Sequence, residues 1–283
     1  MKHCIITGGN SGIGRSAAFQ IAGEGYTVVL ACRNMVQAES ICEQIIATTG
    51  NPNVTAMKVD LSSMAEVKSF VREYMDRFQS LDVLINNAAD FDLSRKAPQI
   101  TAEGNEAQFA TNVLAPFALI QGLLPYLQAS ENGRIINISS QGLMMYPNLT
   151  FDFDNLMGRK NYSPAKTYYQ TKLALLMLSL RLRELLAESH VSVYCVRVTN
   201  VKIDITRYGD ISPLMKWAYG LKSRFSISPD DMAGVYTELA TGQKRDGFYY
   251  DEKLREVKAN RSAYNGEAQR RLWNVVERLI NKE

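Results

Sequence analysis

Residues 4–14 decide the fold, and they read Cys-Ile-Ile-Thr-Gly-Gly-Asn-Ser-Gly-Ile-Gly. The apolar run at 4–6 predicts a buried strand, and apolar residues three or four positions apart from Ile13 onward predict a helix. Glycines between a strand and a helix permit a tight turn and let the backbone approach a pyrophosphate closely. The helix N-terminus adds free N–H groups and the positive end of the helix dipole. The stretch therefore predicts a dinucleotide-binding turn, and the alternative is a plain surface turn.

Short β-branched runs recur along the rest of the chain, with helix-length segments between them. They lie at 4–6, 27–30, 54–59, 83–85, 135–138 and 191–198. Most are nearly continuous in apolar character, which is typical of strands covered on both faces. This alternation predicts the α/β class, with a Rossmann-type doubly wound parallel sheet and helices on both faces. We expect one domain over residues 1–283, a candidate substrate lid at about 204–228, and one further strand at 247–250.

The composition is that of an ordinary globular protein, with 46% hydrophobic residues, 22% charged residues and a net charge of +3 over 283 residues. Such an even charge balance predicts no nucleic-acid partner. Four cysteines without a disulfide or metal spacing, together with only two histidines, predict reduced thiols and no metal site. No signal peptide and no membrane span are expected, and the predicted location is cytoplasmic.

The end of the second predicted strand bears on the choice of cofactor. The strand at 27–31 is followed by Cys32, Arg33 and Asn34, without an acidic residue. A carboxylate there would bond the ribose 2′-hydroxyl of NAD and repel a 2′-phosphate, whereas a guanidinium suits a phosphate. Arg33 therefore predicts NADP(H), and the alternative is a solvated surface arginine.

Tyr168 and Lys172 open a long segment with helical periodicity. Residues at i and i+4 lie on one face of a helix, so the spacing predicts an ammonium group beside a phenol. A free phenol has a pKa near ~10, and a neighbouring cation lowers it by favouring the phenolate. Such a pair can pass a proton to a carbonyl oxygen, although the spacing also occurs in helices by chance. Upstream, Ser139 and Ser140 follow a buried strand, where ligands bind in open α/β sheets.

The chain resembles the short-chain dehydrogenase/reductase family over nearly its whole length. The resemblance rests on the TGxxxGxG pattern at Thr7–Gly14 and on Asn86–Ala89, which is similar to the family's NNAG motif. The other matching positions follow in the family's order and are Asp60, Asn112, Ser140, Tyr168 and Lys172. The stretches at 31–34, 171–174 and 271–273 look like those of the branch that contains the retinol dehydrogenases and the WW-domain oxidoreductases.

The resemblance implies a nicotinamide dinucleotide cofactor, Arg33 makes NADP(H) the predicted form, and together they predict one cofactor-binding set. That set comprises Gly8, Asn10, Ser11, Gly12, Ile13, Gly14, Arg33, Asp60, Leu61, Asn87, Ala88, Tyr168 and Lys172. Asp60 would contact the adenine, and its alternative role is to cap the following helix. Ala89 replaces the last glycine of the motif, which matters if that position needs a positive φ.

The resemblance also implies four catalytic residues. Ser140 would orient the substrate oxygen, Tyr168 would donate the proton, and Lys172 would tune Tyr168 and hold the nicotinamide ribose. Asn112 would bend its helix and support a water-linked proton path. The alternative for an Asn inside a helix is a surface amide or a simple kink. Ser139 is expected to make local backbone contacts.

One segment departs from the family's pattern. The sixth strand is usually followed by Pro-Gly and then by a threonine that touches the nicotinamide. This chain has Val198 and Thr199 at the first two positions and Ile203 at the third. We therefore expect the nicotinamide to sit slightly differently or to be held by backbone groups alone.

Together these features predict an NADPH-dependent oxidoreductase that acts on a carbonyl or alcohol group of a small apolar substrate. Candidates for the substrate pocket, or else ordinary core and lid residues, are Met144, Met145, Tyr146, Tyr208, Met215 and Trp217. The alternative function is a catalytically silent NADP(H)-binding sensor or interaction protein. A third hypothesis is an isomerase or lyase on the same fold. A homo-oligomer is implied by the family alone.

Overall fold

A computed structural model describes residues 1–202 and 226–281. Its centre is a sheet of seven parallel strands in the order β3-β2-β1-β4-β5-β6-β7. The strands are β1 His3–Thr7, β2 Thr27–Cys32, β3 Val54–Lys58, β4 Val83–Asn86, β5 Arg134–Ser140, β6 Ser192–Val198 and β7 Tyr249–Tyr250. The predicted doubly wound parallel sheet in a single domain is confirmed. The strand order reverses between β1 and β4, and at such a switch point ligands bind outside the carboxyl ends of the strands.

Two hydrophobic cores lie on opposite faces of the sheet. The first face carries α1 Gly12–Gly23, α2 Met35–Thr49 and α7 Pro229–Thr241. The second face carries α3 Met64–Arg77, α4 Ala107–Phe109, α5 Ala115–Ala129, α6 Pro164–Leu185 and α8 Gly266–Ile280. Because both faces are covered, all six residues of the interior strand β2 are buried, which explains its nearly continuous apolar sequence.

The late strand is shorter than the sequence predicts. The run at 247–250 forms a strand only at Tyr249–Tyr250, which pairs with Cys195 and Val196 of β6. Phe248 still accepts a hydrogen bond from the Cys195 N–H at 2.8 Å. The segment therefore closes the edge of the sheet with two paired residues.

The C-terminal helix α8 covers the outer side of α6. Leu272, Val276 and Ile280 recur at a spacing of four, and all three are buried in the second core. The Trp273 ring meets Phe117 edge to face, with centroids 4.6 Å apart. Helix α6 is therefore enclosed between the sheet and α8, which holds its inward face in place.

The helical segments α4 and α5 run on through a π-helical turn at Ala110–Leu114. Within the described residues this is the one helix, Ala107–Ala129, whose length and composition would allow it to cross a membrane, and 72% of its apolar window is buried inside the structure. Packing in the second core accounts for that apolar composition. The absence of a membrane span stays a prediction.

The candidate lid at 204–228 lies outside the described residues apart from its last three positions. Tyr208, Met215, Trp217 and Ile203 also lie outside them. At the end of the lid, Ile227 forms a parallel bridge with Val201.

Candidate active site

A cleft runs along the carboxyl ends of the strands and consists of two adjoining cavities. The first encloses about 670 Å³ between the glycine turn and the ends of β2 and β3. The second encloses about 660 Å³ between the ends of β5 and β6 and the start of α6. Asn87 and Ala89 line both cavities, so the two cavities meet beyond the carboxyl end of β4. The cleft therefore lies at the switch point of the sheet, where the sequence places its cofactor turn.

The glycine turn presents its backbone to the first cavity. Gly8 and Gly12 have φ values of +64° and +55°, which glycine adopts without strain. Ser11 caps α1 without a side-chain hydrogen bond, so its hydroxyl leaves the leading N–H groups of α1 available to an anion. A Cβ atom on Gly14 would collide with the Asn87 amide nitrogen and lie 2.6 Å from the Gly8 carbonyl oxygen. These features fit the close approach of a dinucleotide pyrophosphate.

Asn87 and Ala88 tie the end of β4 to the glycine turn. The Asn87 Nδ2 donates to the Thr7 carbonyl at 2.9 Å, and the Ala88 N–H donates to Thr7 Oγ1 at 3.0 Å. Among the described residues, the non-glycine positions with positive φ are Asn161 and Leu254. Ala89 therefore has ordinary backbone geometry, and its replacement of the motif's glycine brings no strain.

Arg33, Asp60 and Leu61, which the sequence predicts at the adenosine end of a cofactor, line the first cavity together, and their role in binding stays a prediction. The Arg33 side chain is 79% exposed, and its Nη1 lies 3.9 Å from Asp60 Oδ2. Asp60 Oδ1 accepts from the N–H and hydroxyl of Ser62 at 2.9 and 2.7 Å. The alternative role of Asp60 as a helix cap is wrong, because Ser63 caps α3.

Several polar residues of this cavity are not predicted from the sequence. Asn10 was predicted, but its partner Gln37, which accepts from the Asn10 Nδ2 at 2.9 Å, was not. Arg95 forms a two-pronged ion pair with Asp90, with N–O distances of 2.6 and 3.1 Å, and both line the cavity. Gln37 lies in the first turn of α2, whereas Asp90 and Arg95 lie in the loop after β4, and no periodic pattern marks any of them.

Asn112 is buried in the π-helical turn and is neither a surface amide nor a simple kink. Its Oδ1 accepts from the Asp90 N–H at 2.7 Å, and its Nδ2 donates to the Asp90 carbonyl at 3.0 Å. The same Nδ2 donates to Thr171 Oγ1 at 3.0 Å, next to Lys172 in α6. Asn112 therefore fixes the loop after β4 to the helix that carries the predicted proton donor. Its role in a proton path stays a prediction.

Ser140, Tyr168 and Lys172 line the second cavity together. Ser140 Oγ accepts from the Gly142 N–H at 3.2 Å. The Tyr168 ring packs against Phe91, with centroids 4.3 Å apart. The Lys172 Nζ lies 5.5 Å from the centroid of the Tyr168 ring and donates to the Ile138 carbonyl at 2.8 Å. The structure thus brings together the three residues that the sequence predicts at this end.

The Lys172 ammonium is buried and has no carboxylate partner in the described part of the chain. Burial lowers the pKa of Lys172 from its usual 10.5 to about 8, and the nearby Cys195 thiol opposes that change. A positive charge that no acid neutralises favours negative charge on a neighbouring phenol. The arrangement therefore suits a tyrosine that gives up its proton.

Contacts of Ser139 differ from the expected backbone contacts. Its hydroxyl lies 3.4 Å from the Tyr249 hydroxyl, within the second core. Ser139 therefore supports the sheet edge, while Ser140 at the next position lines the cavity.

The rim of the second cavity is partly apolar. Met144 and Met145 line it and are 62% and 68% exposed, whereas Tyr146 packs on Tyr169 and does not line this cavity. At the departure from the family pattern, the Thr199 hydroxyl donates to Gln141 Oε1 at 2.6 Å. Thr199 therefore uses its hydroxyl within the protein.

No group of three or more His, Cys, Asp or Glu side chains that could hold a metal ion occurs in residues 1–202 and 226–281. The absence of a metal stays a prediction.

Known proteins resemble this chain in sequence. The family model for short chain dehydrogenase matches residues 2–151. Retinol dehydrogenase 13 of Mus musculus is 33% identical over 286 residues, which cover 99% of this chain and 84% of that protein. Retinol dehydrogenase 11 of Homo sapiens is 31% identical over 276 residues, which cover 97% of this chain and 84% of that protein.

Solved structures share the fold. An uncharacterized protein from Mycobacterium paratuberculosis has a TM-score of 0.72 and 24% identity, and the match covers 100% of this chain and 94% of that one. A metagenomic short-chain oxidoreductase in complex with NADP has a TM-score of 0.63 and 24% identity, with coverage of 91% and 98%. At this identity the likeness supports the fold alone.

Replacing Gly14 with alanine should weaken NADPH binding about tenfold or more, a loss of at least ~1.4 kcal/mol. The added methyl group displaces Asn87 or the turn itself. Gly23→Ala, in the same helix, is the control, because its Cβ would meet nothing within 4 Å. Calorimetric titration of both variants checks this, and equal dissociation constants would contradict it.

The buried ammonium also predicts a pH-dependent stability. Between pH 8 and 10.5 the native protein releases the Lys172 proton while the unfolded chain keeps it, so Lys172 makes the wild type more stable as pH rises. Lys172→Met removes this contribution. The free energy of unfolding of Lys172→Met minus that of wild type should therefore be highest below pH 8 and should decrease from pH 8 to pH 10.5. Urea unfolding of both proteins at several pH values measures the difference, and a difference independent of pH would rule the prediction out.

Proposed function

This chain belongs to the short chain dehydrogenase family, and we propose that it transfers a hydride between NADP(H) and a carbonyl or alcohol group of a small apolar substrate. One observation carries the proposal. Ser140, Tyr168 and Lys172 meet in a cavity that adjoins the glycine turn, so a cofactor bound to that turn would extend its reactive end toward them. A protein that only binds the cofactor has no use for this set.

The residues that would hold the cofactor lie along the cleft in the order of its parts. Arg33 and Asp60 would meet the adenosine end, and the first N–H groups of α1 would meet the pyrophosphate. Lys172 would reach the nicotinamide ribose. When bound, the cofactor supplies or accepts the hydride, while the protein provides orientation and electrostatics.

The proton step would fall to Tyr168. Ser140 Oγ accepts from Gly142 N–H, so its own hydroxyl hydrogen can point at a substrate oxygen. During reduction the Tyr168 hydroxyl would donate its proton to that oxygen. The Lys172 charge would stabilise the phenolate that remains. Asn112 would hold the loop after β4 against α6, so that the path by which Tyr168 regains its proton stays in place.

An apolar substrate is supported by the side chains at the cavity mouth. Met144, Met145, Phe91 and Val198 line the space next to Ser140. Methionine side chains adapt to apolar ligands of different shapes. The relatives are named retinol dehydrogenases, and we extend from them only the class of an apolar aldehyde, ketone or alcohol.

The proposal includes a cytoplasmic location, which is supported by four buried, unpaired cysteines at positions 4, 32, 42 and 195. It also includes NADP(H) as the cofactor, for which Arg33 at the cavity edge is the supporting residue.

Tyr168→Phe should reduce kcat/KM for NADPH-dependent aldehyde reduction by roughly 10²-fold or more, because the variant has no proton to donate. The dissociation constant for NADPH should change little. The control is Tyr169→Phe, a phenol in the same cavity with leucine at i+4 in place of lysine. NADPH consumption with a panel of aldehydes and ketones measures the rates. Undiminished turnover of Tyr168→Phe would exclude the mechanism, and tight NADPH binding without wild-type turnover on any substrate would favour the silent sensor.

Arg33→Ala should weaken NADPH binding roughly 10- to 100-fold and leave NADH binding nearly unchanged, because charge-assisted hydrogen bonds to the 2′-phosphate are lost. Arg15→Ala serves as the control, because Arg15 donates to Gln44 at 3.0 Å and does not line the cavity. Dissociation constants for both cofactors check the prediction. An equal loss of affinity for NADPH and NADH in Arg33→Ala would show that Arg33 does not bind the 2′-phosphate.

A further inference from the structure

Tyr236 in α7 is a buried phenol whose hydroxyl has no hydrogen-bond partner within the described part of the chain. Two other buried tyrosines do have one: the Tyr194 hydroxyl accepts from the Arg245 N–H at 3.0 Å, and the Tyr74 hydroxyl donates to the Ser80 carbonyl at 2.8 Å. A buried hydroxyl without a partner lowers stability, so its retention points to a group that arrives later.

The Tyr236 side chain lines the second cavity, where Tyr168 and Lys172 also lie. Side chains of an α-helix lean toward its N-terminus. Helix α7 begins after Ser228, close to the bridge between Val201 and Ile227 beyond the end of β6. The phenol therefore leans from the first core toward the carboxyl edge of the sheet, where the cavity opens.

The position of α7 indicates which ligand reaches Tyr236. Helix α7 packs beside α1, with Thr237 Oγ1 donating to Gln20 Oε1 at 2.9 Å and Gln20 Nε2 donating to the Asp230 carbonyl at 3.0 Å. Ile13, in the first turn of α1, lines the same cavity as Tyr236. A dinucleotide that leaves the N-terminus of α1 would pass Ile13 and enter the cavity on the α7 side.

The residues that would bind the substrate oxygen lie on the wall of the cavity opposite α7. Ser140 and Tyr168 are positioned by β5, which lies between the two cores, and by α6, which packs in the second core. A nicotinamide ring between the two walls would turn its reactive carbon to Tyr168. Its carboxamide is the only polar substituent of the ring, so it is the group available to a hydroxyl on the α7 wall.

In the described stretch after β6, up to Lys202, no side-chain hydroxyl is left for this carboxamide. The position that aligns with the family's threonine is Ile203, which has none. Thr199, four residues earlier, already donates its hydroxyl to Gln141. A hydroxyl from another element that lines this cavity, such as that of Tyr236, is positioned to take its place.

We propose that the Tyr236 hydroxyl hydrogen-bonds the carboxamide of the bound nicotinamide and orients the ring toward Tyr168. The inference rests on the proposed function, since it assumes that NADP(H) binds. Burial, and secondarily the nearby Tyr168, raise the pKa of Tyr236, so its hydroxyl stays protonated and can donate. Tyr236 would thus supply the hydroxyl that a threonine supplies after β6 in the family and that Ile203 cannot supply in this chain.

The experiment compares Tyr236→Phe with wild type for two ligands, NADPH and 2′-phosphoadenosine diphosphate ribose, which lacks the nicotinamide. Tyr236→Phe should bind NADPH about tenfold more weakly and the fragment equally well. Because the removed hydroxyl has no partner in the free protein, the melting temperature without ligand should not fall. Tyr194→Phe is the control, because it removes a buried hydroxyl of the same core that bonds to Arg245 and lies away from the cavity.

A second measurement uses thio-NADP⁺, whose thiocarbonyl is a poorer hydrogen-bond acceptor than the carboxamide oxygen. Wild type should bind it more weakly than NADP⁺, and this difference should shrink in Tyr236→Phe. In wild type alone, equal affinity for the two cofactors would already oppose the proposal, even if Tyr236→Phe failed to fold.

The outcomes separate the inference from the proposed function. If wild type binds NADPH and Tyr236→Phe binds it equally well, the inference is wrong and the function stands. If Tyr236→Phe loses NADPH and the fragment to the same extent, Tyr236 has a structural role and the inference is wrong again. If wild type binds neither ligand, the proposed function itself fails.

Discussion

The contact between Asn87 and the glycine turn is the constraint on which the cleft depends. It joins β1 and β4 where the strand order reverses, and it leaves no room for a side chain at Gly14. The loop that follows Asn87 leads to Asp90, which Asn112 bonds on both sides of its backbone. Asn112 in turn reaches α6. Hydrogen bonds at both ends of the short segment from Asn87 to Asp90 therefore fix the cofactor turn relative to the helix of Tyr168 and Lys172.

Two polar groups of this cleft have fewer partners among the described residues than their chemistry allows. Lys172 bonds only a neutral carbonyl oxygen, and Tyr236 bonds nothing among the described residues. Directly below, the buried amides are linked: Asn86 donates to Asn137, which donates to Ser179, each at 2.8 Å. This network joins β4, β5 and α6. The fold thus links the amides beneath the site and leaves the Lys172 ammonium and the Tyr236 hydroxyl available to a ligand.

Much of this arrangement could be predicted from the sequence, because it follows from local pattern and from the rules of parallel sheets. The glycine turn is contiguous, Tyr168 and Lys172 share a helix face, and Ser140 ends a strand, so their meeting needs only the doubly wound topology. Tyr236 and Arg95 could not be predicted in the same way. In sequence, Tyr236 looks like any core tyrosine of an amphipathic helix. The lack of a partner for its hydroxyl depends on residues that are far away along the chain.

The sheet assigns the two walls of the cleft to separate cores. The wall of α1 and α7, which would hold the cofactor, packs in the first core, and the wall of α6 packs in the second. Substitutions in different packing units have nearly additive effects on stability. Over evolutionary time, the substrate wall can therefore diversify while the cofactor wall stays unchanged. The same separation gives protein engineers one side of the sheet to randomise and another to leave alone.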